Sequence, residues 1–272
     1  MSVTGIVSAA LVIGIVGLLV GFLLVVAAEK FKVEVDEREA AVRELLPGNN
    51  CGGCGFAGCD ALAAAIAKGE AEVGACPVGG ASVGKAIAEV MGVEAGASAR
   101  KVAFVKCAGT CDKTRNKSNY YGVQDCRMAV VAPGRTSKKC TYGCMGFGTC
   151  VKVCPFDAIH VVDGVAVVDE EACKACGKCV EACPNKLIEL VPYDAKVRVQ
   201  CNSNDKGKAV REACDAGCIG CGICAKACGA AVVTNNLAKI DYEKCVSCGK
   251  CAEKCPRKII RIDGKIPQKA AE

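Results

Sequence analysis

The residues able to do chemistry here are cysteines, and their spacing is regular. Three runs read C-x2-C-x2-C-x3-C: Cys173, Cys176, Cys179 and Cys183; Cys218, Cys221, Cys224 and Cys228; Cys245, Cys248, Cys251 and Cys255. A fourth run is a widened version, Cys140-x3-Cys144-x5-Cys150-x3-Cys154. In such a run three close thiolates wrap one [4Fe–4S] core, and the fourth cysteine, a helical turn later, serves a second core. That rule predicts crossed sets. Cys140, Cys144 and Cys150 go with Cys183, and Cys173, Cys176 and Cys179 with Cys154. Likewise Cys218, Cys221 and Cys224 go with Cys255, and Cys245, Cys248 and Cys251 with Cys228.

Two further groups of cysteines precede or separate these runs. Cys51, Cys54, Cys59 and Cys76 form a C-x2-C-x4-C-x16-C set rich in glycine. It is read as another iron–sulfur site, with structural zinc as the alternative because four thiolates also suit that ion. Cys107, Cys111, Cys126, Cys201 and Cys214 remain. Cys107, Cys126, Cys201 and one of Cys111 or Cys214 are expected to hold a further cluster bridging the ferredoxin-like units; plain buried thiols are the alternative. About six [4Fe–4S] clusters are therefore expected, since 25 cysteines are present and each cluster takes about four thiolates.

A disulfide scaffold does not fit. Neighbours this close in sequence cannot all pair without strain, and the total is odd. The thiols call for a reducing compartment. The formal charge of +6 counts every thiol as neutral. Six clusters of about −2 each would bring the loaded protein to about −6, which removes net charge as an argument for nucleic-acid binding. No P-loop, no GxGxxG after a strand and no hydrolytic triad occurs, so the chain is expected to carry electrons and do no substrate chemistry of its own.

The elements that position these cysteines follow from the flanking pattern. Residues 5–28 contain no charged side chain. As a helix they reach about 36 Å, against about 30 Å for a bilayer core. A cleaved signal peptide is the alternative, opposed by the length of the run and by the lack of Lys or Arg before it. Lys30, Lys32, Arg38 and Arg43 follow the run and predict a cytoplasmic side for the rest of the chain. Helices are expected over 35–46, 60–68 and 82–91, and a strand over 102–106. Residues 134–139 read as a basic linker. Short alternating runs, such as Ile159–Val162 and Val232-Val233, predict small hairpins between the halves of each cysteine unit. His160, in one of them, is expected to be a packed core residue rather than a ligand. The late basic residues Lys250, Lys254, Arg257, Lys258, Arg261, Lys265 and Lys269 read as a solvated face, or more sharply as a docking surface for an acidic ferredoxin.

The expected fold class is α+β: one N-terminal transmembrane helix, a small helical four-Cys domain and two bacterial ferredoxin-like two-cluster modules. The boundaries are 1–30 for the anchor, 31–95 for the four-Cys domain and 96–135 for a connecting segment with extra Cys ligands. The first module covers 136–195, a second connecting segment 196–217, and the second module with its tail 218–272.

The N-terminal span, Leu46-Pro47, Cys51-Gly-Gly-Cys54-Gly-Phe-Ala-Gly-Cys59, Cys76-Pro77 and the ferredoxin-like modules together resemble the B subunit of the Rnf complex. The insert Cys140-Thr-Tyr-Gly-Cys144-Met-Gly-Phe-Gly-Thr-Cys150 is similar to the longer, multi-cluster form, and the likeness covers nearly the whole chain. The resemblance implies an ion-translocating ferredoxin:NAD oxidoreductase of the inner (cytoplasmic) membrane, which couples electron flow to Na+ or H+ export. It implies reduced ferredoxin as donor and the other membrane subunits as partners. The competing reading is a stand-alone tethered electron carrier or a subunit of a different membrane oxidoreductase.

Overall fold

The computed structural model describes residues 3–30, 36–94, 96 and 99–262. Lys32, Lys265 and Lys269 lie outside the described residues. Helix α1 (Val3–Lys30) comes first, and its apolar side chains, Ile13 and Leu18 among them, are exposed. Among the described residues no helix is long and apolar enough to cross a membrane.

Three helices build the four-Cys domain: α2 (Glu37–Leu45), α3 (Cys59–Ala67) and α4 (Gly80–Met91). Asp36 caps α2 by accepting the Arg38 N–H at 2.9 Å. The helix ends where Leu46 turns extended, the conformation forced on a residue before proline. Val42, Leu62, Ile66 and Ile87 bury fully against one another, with Cys59 and Cys76 at the edge of the same core. Truncating one of these aliphatic side chains to Ala costs about 2–5 kcal/mol in a packed core.

The two ferredoxin-like modules repeat one plan. In the first, the order is β1 (Lys101–Val105), α5 (Cys126–Val131), α6 (Thr149–Lys152), β2 (Ile159–Val162), β3 (Val165–Val168), α7 (Lys178–Ala182) and β4 (Ile188–Pro192). The second follows with β5 (Val197–Val199), α8 (Gly207–Ala213), α9 (Ile223–Ala227), β6 (Ala231–Thr234), β7 (Leu237–Ile240), α10 (Lys250–Glu253) and β8 (Ile260–Ile262). Each module has a hairpin, β2–β3 or β6–β7. Asp163-Gly164 and Asn235-Asn236 close these hairpins with positive φ at both residues, the two-residue turn that matches strand twist. Each module also has a sheet made by an incoming strand. β1 pairs antiparallel with β4, Val105 opposite Ile188, and β5 pairs antiparallel with β8, Val199 opposite Ile260. The segments 96–135 and 196–217 thus contribute an edge strand to each module as well as connecting them.

Three sequence expectations change. His160 faces solvent, its Nδ1 3.9 Å from Asp157 Oδ1; alternation fixes which residues share a face, not which face is covered. Lys138 is no linker residue. It is buried, and its Nζ donates to the carbonyls of Gly109 at 3.0 Å and Gly164 at 2.7 Å. Of the late basic residues, Lys250, Lys254 and Lys258 are exposed. Arg257 instead turns inward and donates to the Cys214 carbonyl at 2.9 Å, and Arg261 is half-buried.

Candidate metal centres

In each cysteine run the third cysteine sits on a short helix, Cys150 on α6, Cys179 on α7, Cys224 on α9 and Cys251 on α10. Gly148, Gly177, Gly222 and Gly249 cap these helices with φ between 70° and 81°. A side chain with a Cβ is strained there, so the chain reverses tightly and presents three sulfurs to one side.

Sulfur groupings follow. Cys54, Cys59 and Cys76 face one another at the edge of the helical core, and Cys76 Sγ accepts the Gly79 N–H at 3.4 Å. Burial is the main cause pushing the Cys76 thiol up, with Cys54 and Cys59 close by. Cys51 belongs to the same loop and also neighbours Cys176 across the domain boundary. Cys154, Cys173, Cys176 and Cys179 surround one another in the first module. In the second, one cavity is lined by Cys218, Cys221, Cys224 and Cys255, and Cys228 and Cys245 flank Cys251. Cys248, in the loop just before α10, is exposed.

The widened run behaves differently. Cys144, Cys150 and Cys183 line one cavity, but the fourth cysteine there is Cys126, not Cys140. The position of Cys126 is built by α5. Asp125 caps that helix through the N–H groups of Arg127 and Met128. Its other carboxylate oxygen accepts the Thr149 hydroxyl at 3.0 Å, and Thr149 Oγ1 accepts the Cys126 N–H at 2.8 Å. Thr149 precedes Cys150, so this network holds Cys126 beside it. Cys140 lines a second cavity with Cys107, Cys201 and Cys214. Cys111 is exposed, its N–H donating to the Asp163 carbonyl, and it lines neither cavity. Spacing carries no signal for this exchange beyond the widening itself.

These surroundings fit iron–sulfur clusters. The donors are thiols alone, and backbone N–H groups point at their sulfurs. Ala103 donates to Cys173, Ala158 to Cys154, Ala166 to Cys144, Leu187 to Cys183 and Cys218 to Cys201, at 3.2–3.4 Å. Such bonds favour thiolate charge. Burial opposes it, pushing Cys150, Cys179 and Cys201 up to about 12 and Cys214 and Cys251 up to about 11. These thiols stay protonated near neutral pH until a cationic partner displaces the protons. Among the described residues no group of three or more His, Cys, Asp or Glu could hold a single metal ion.

Thiol sets with buried members around ferredoxin-like hairpins define an iron–sulfur protein. Family descriptions agree: "Putative Fe-S cluster" matches residues 46–78, "LdpA Fe-S cluster-binding domain" 147–194 and "4Fe-4S binding domain" 238–261. The chain is 53% identical over 236 residues to the B subunit of the Na(+)-translocating ferredoxin:NAD(+) oxidoreductase complex of Acetobacterium woodii, covering 86% of this chain and 71% of that one. It is 44% identical to the B subunit of the ion-translocating oxidoreductase complex of Methanosarcina acetivorans, covering 90% and 94%. To the proton-translocating counterpart of Clostridium ljungdahlii it is 42% identical, covering 76% and 73%. The chain belongs to the B-subunit family of ion-translocating (Rnf) oxidoreductase complexes.

Proposed function

We propose that this chain is the membrane-anchored iron–sulfur subunit that accepts electrons from reduced ferredoxin and relays them into an Rnf-type complex, which reduces NAD and exports Na+ or H+. The observation that carries this reading is the series of cysteine sets, each with buried members, running from the four-Cys domain through both modules. Bound [4Fe–4S] clusters, about six, supply reversible one-electron transfer. The chain's own residues hold them: the cysteines bind, the N–H groups offset thiolate charge, and the aliphatic cores around Val102, Ile159, Val191, Val197 and Ile260 exclude water.

The ends of the series differ in character. Beside the exposed Cys248 lies Val246, 83% exposed, with Lys244, Lys250, Lys254 and Lys258 also exposed nearby in sequence. An exposed apolar side chain in a lysine-rich stretch suits an acidic ferredoxin, although Lys244 pairs with Asp241 and Glu243 and Glu253 are exposed in the same stretch. At the other end, the four-Cys domain follows α1. The uncharged run 5–28 and the exposed apolar side chains of α1, Leu18 at 78% and Ile13 at 73%, support a single-span anchor that leaves the soluble part on the cytoplasmic side.

The test is anaerobic purification of the full chain in detergent, followed by iron, sulfide and zinc analysis and EPR of the reduced protein. About 24 iron atoms per chain, with signals of reduced [4Fe–4S] clusters, are expected for six sites of about four irons. Stoichiometric zinc in place of iron would overturn the reading.

A further inference from the structure

Cys107, Cys140, Cys201 and Cys214 come from four separate segments, after β1, before α6, after β5 and after α8. None of the matched family descriptions reaches any of them. We propose that these four cysteines hold one [4Fe–4S] cluster at the junction of the two modules, that Cys126 completes the neighbouring set with Cys144, Cys150 and Cys183, and that Cys111 is not a ligand. The inference rests on the iron–sulfur reading above and deepens it.

The four line a common cavity. Two arrive with each module, Cys107 and Cys140 with the first, Cys201 and Cys214 with the second, so neither module alone completes the site. Cys144 also touches this cavity, but its sulfur accepts the Ala166 N–H inside the first module and lies among Cys150 and Cys183. Cys144 also neighbours Cys107 and Lys138, and its backbone N–H donates to Cys107 Sγ at 3.4 Å. The second module repeats the contact, the Cys218 N–H donating to Cys201 Sγ at 3.2 Å. A junction sulfur is thus hydrogen-bonded directly to a cysteine of the next set on either side.

The charges fit as well. Four thiolates around a four-iron core carry about −2 overall. Lys138 lines the same cavity with its ammonium fixed by two carbonyls. Arg257, from the second module, donates to the Cys214 carbonyl and brings a second cation to the site. An uncompensated cation such as Lys138 would be costly to bury with no anion near it.

The test counts iron in cysteine variants of the full chain, made in a Cys111→Ser background so that the spare thiol cannot substitute. Cys140→Ala and Cys214→Ala should each lose about four irons, and the double variant should lose the same four, because both ligands serve one cluster. Cys126→Ala combined with Cys214→Ala should lose about eight. The reverse pattern, eight for the first pair and four for the second, would overturn the assignment.

Wild-type protein supplies a second measurement if the variants fail to fold. Anaerobic iodoacetamide labelling of the loaded chain, read by peptide mass spectrometry, should modify Cys111 and spare Cys126, Cys140 and Cys214. Labelling of Cys140 or Cys214 with Cys111 protected would overturn the proposal. Wild-type protein without iron would instead fail the iron–sulfur reading itself, so the two failures are separable.

Discussion

Gly53 and Cys176 meet backbone to backbone: a Cβ on Gly53 would stand 2.7 Å from the Cys176 carbonyl oxygen and 2.9 Å from its Cα. This contact seats the four-Cys domain on the first module, with Cys51 next to Cys176. The clash would be with backbone, so it cannot be relieved by a side-chain rotation. Gly53→Ala should therefore destabilise the docked arrangement by about 1–3 kcal/mol. Faster amide exchange in the 173–179 loop, with iron content unchanged, is the expected result; unchanged exchange would contradict the contact.

Lys138 makes a second prediction. Replacing it by Met leaves the Gly109 and Gly164 carbonyls without their buried donor, a loss of about 1–3 kcal/mol. Denaturant unfolding of the loaded protein should show a lower midpoint. Redox titration should show one cluster with a more negative potential, because a cation has left its surroundings.

Tyr242 gives the pH dependence. Burial, and then the carboxylate of Glu189, push its phenol up to about 12 from 10.0. A raised folded-state value means the folded state holds the proton more tightly than the unfolded one. The stabilisation is complete below pH 10 and is lost as pH rises toward 12. Comparing unfolding midpoints at pH 9 and pH 11, wild type should lose more stability than Tyr242→Phe. Equal losses would contradict the burial.

These relationships are not equally legible in the sequence. The cysteine runs and both hairpins are readable because ligand spacing and turn chemistry are local: Cys173 to Cys183 lie within one loop and one helix. The junction cavity is not, because Cys107, Cys140, Cys201 and Cys214 meet only after β1 has paired with β4 and β5 with β8. Cys126, rather than Cys140, lines the cavity with Cys144, Cys150 and Cys183, held by a hydroxyl bridge at Thr149 that no spacing rule contains. Lys138 misleads for a related reason, since charge suggests solvent unless two carbonyls happen to be waiting. His160 lies in a strand that alternation does predict, on the face that the fold leaves open.

Deleting residues 1–30 tests the anchor. The truncated chain should move from the membrane fraction to the soluble fraction while keeping its iron, since no cysteine precedes Cys51. Persistence in the membrane fraction, with the other subunits absent, would contradict anchoring by α1.

The central claim, that this chain takes electrons from reduced ferredoxin, is tested most directly by stopped-flow. The anaerobic full chain is mixed with reduced low-potential ferredoxin, and the visible absorbance of the clusters is followed at low and high salt. Rapid bleaching is expected. It should slow about tenfold or more when Lys250, Lys254 and Lys258 are changed to Glu, with the difference shrinking at high salt. Absent bleaching, in protein whose iron content is confirmed, would contradict ferredoxin as its direct donor.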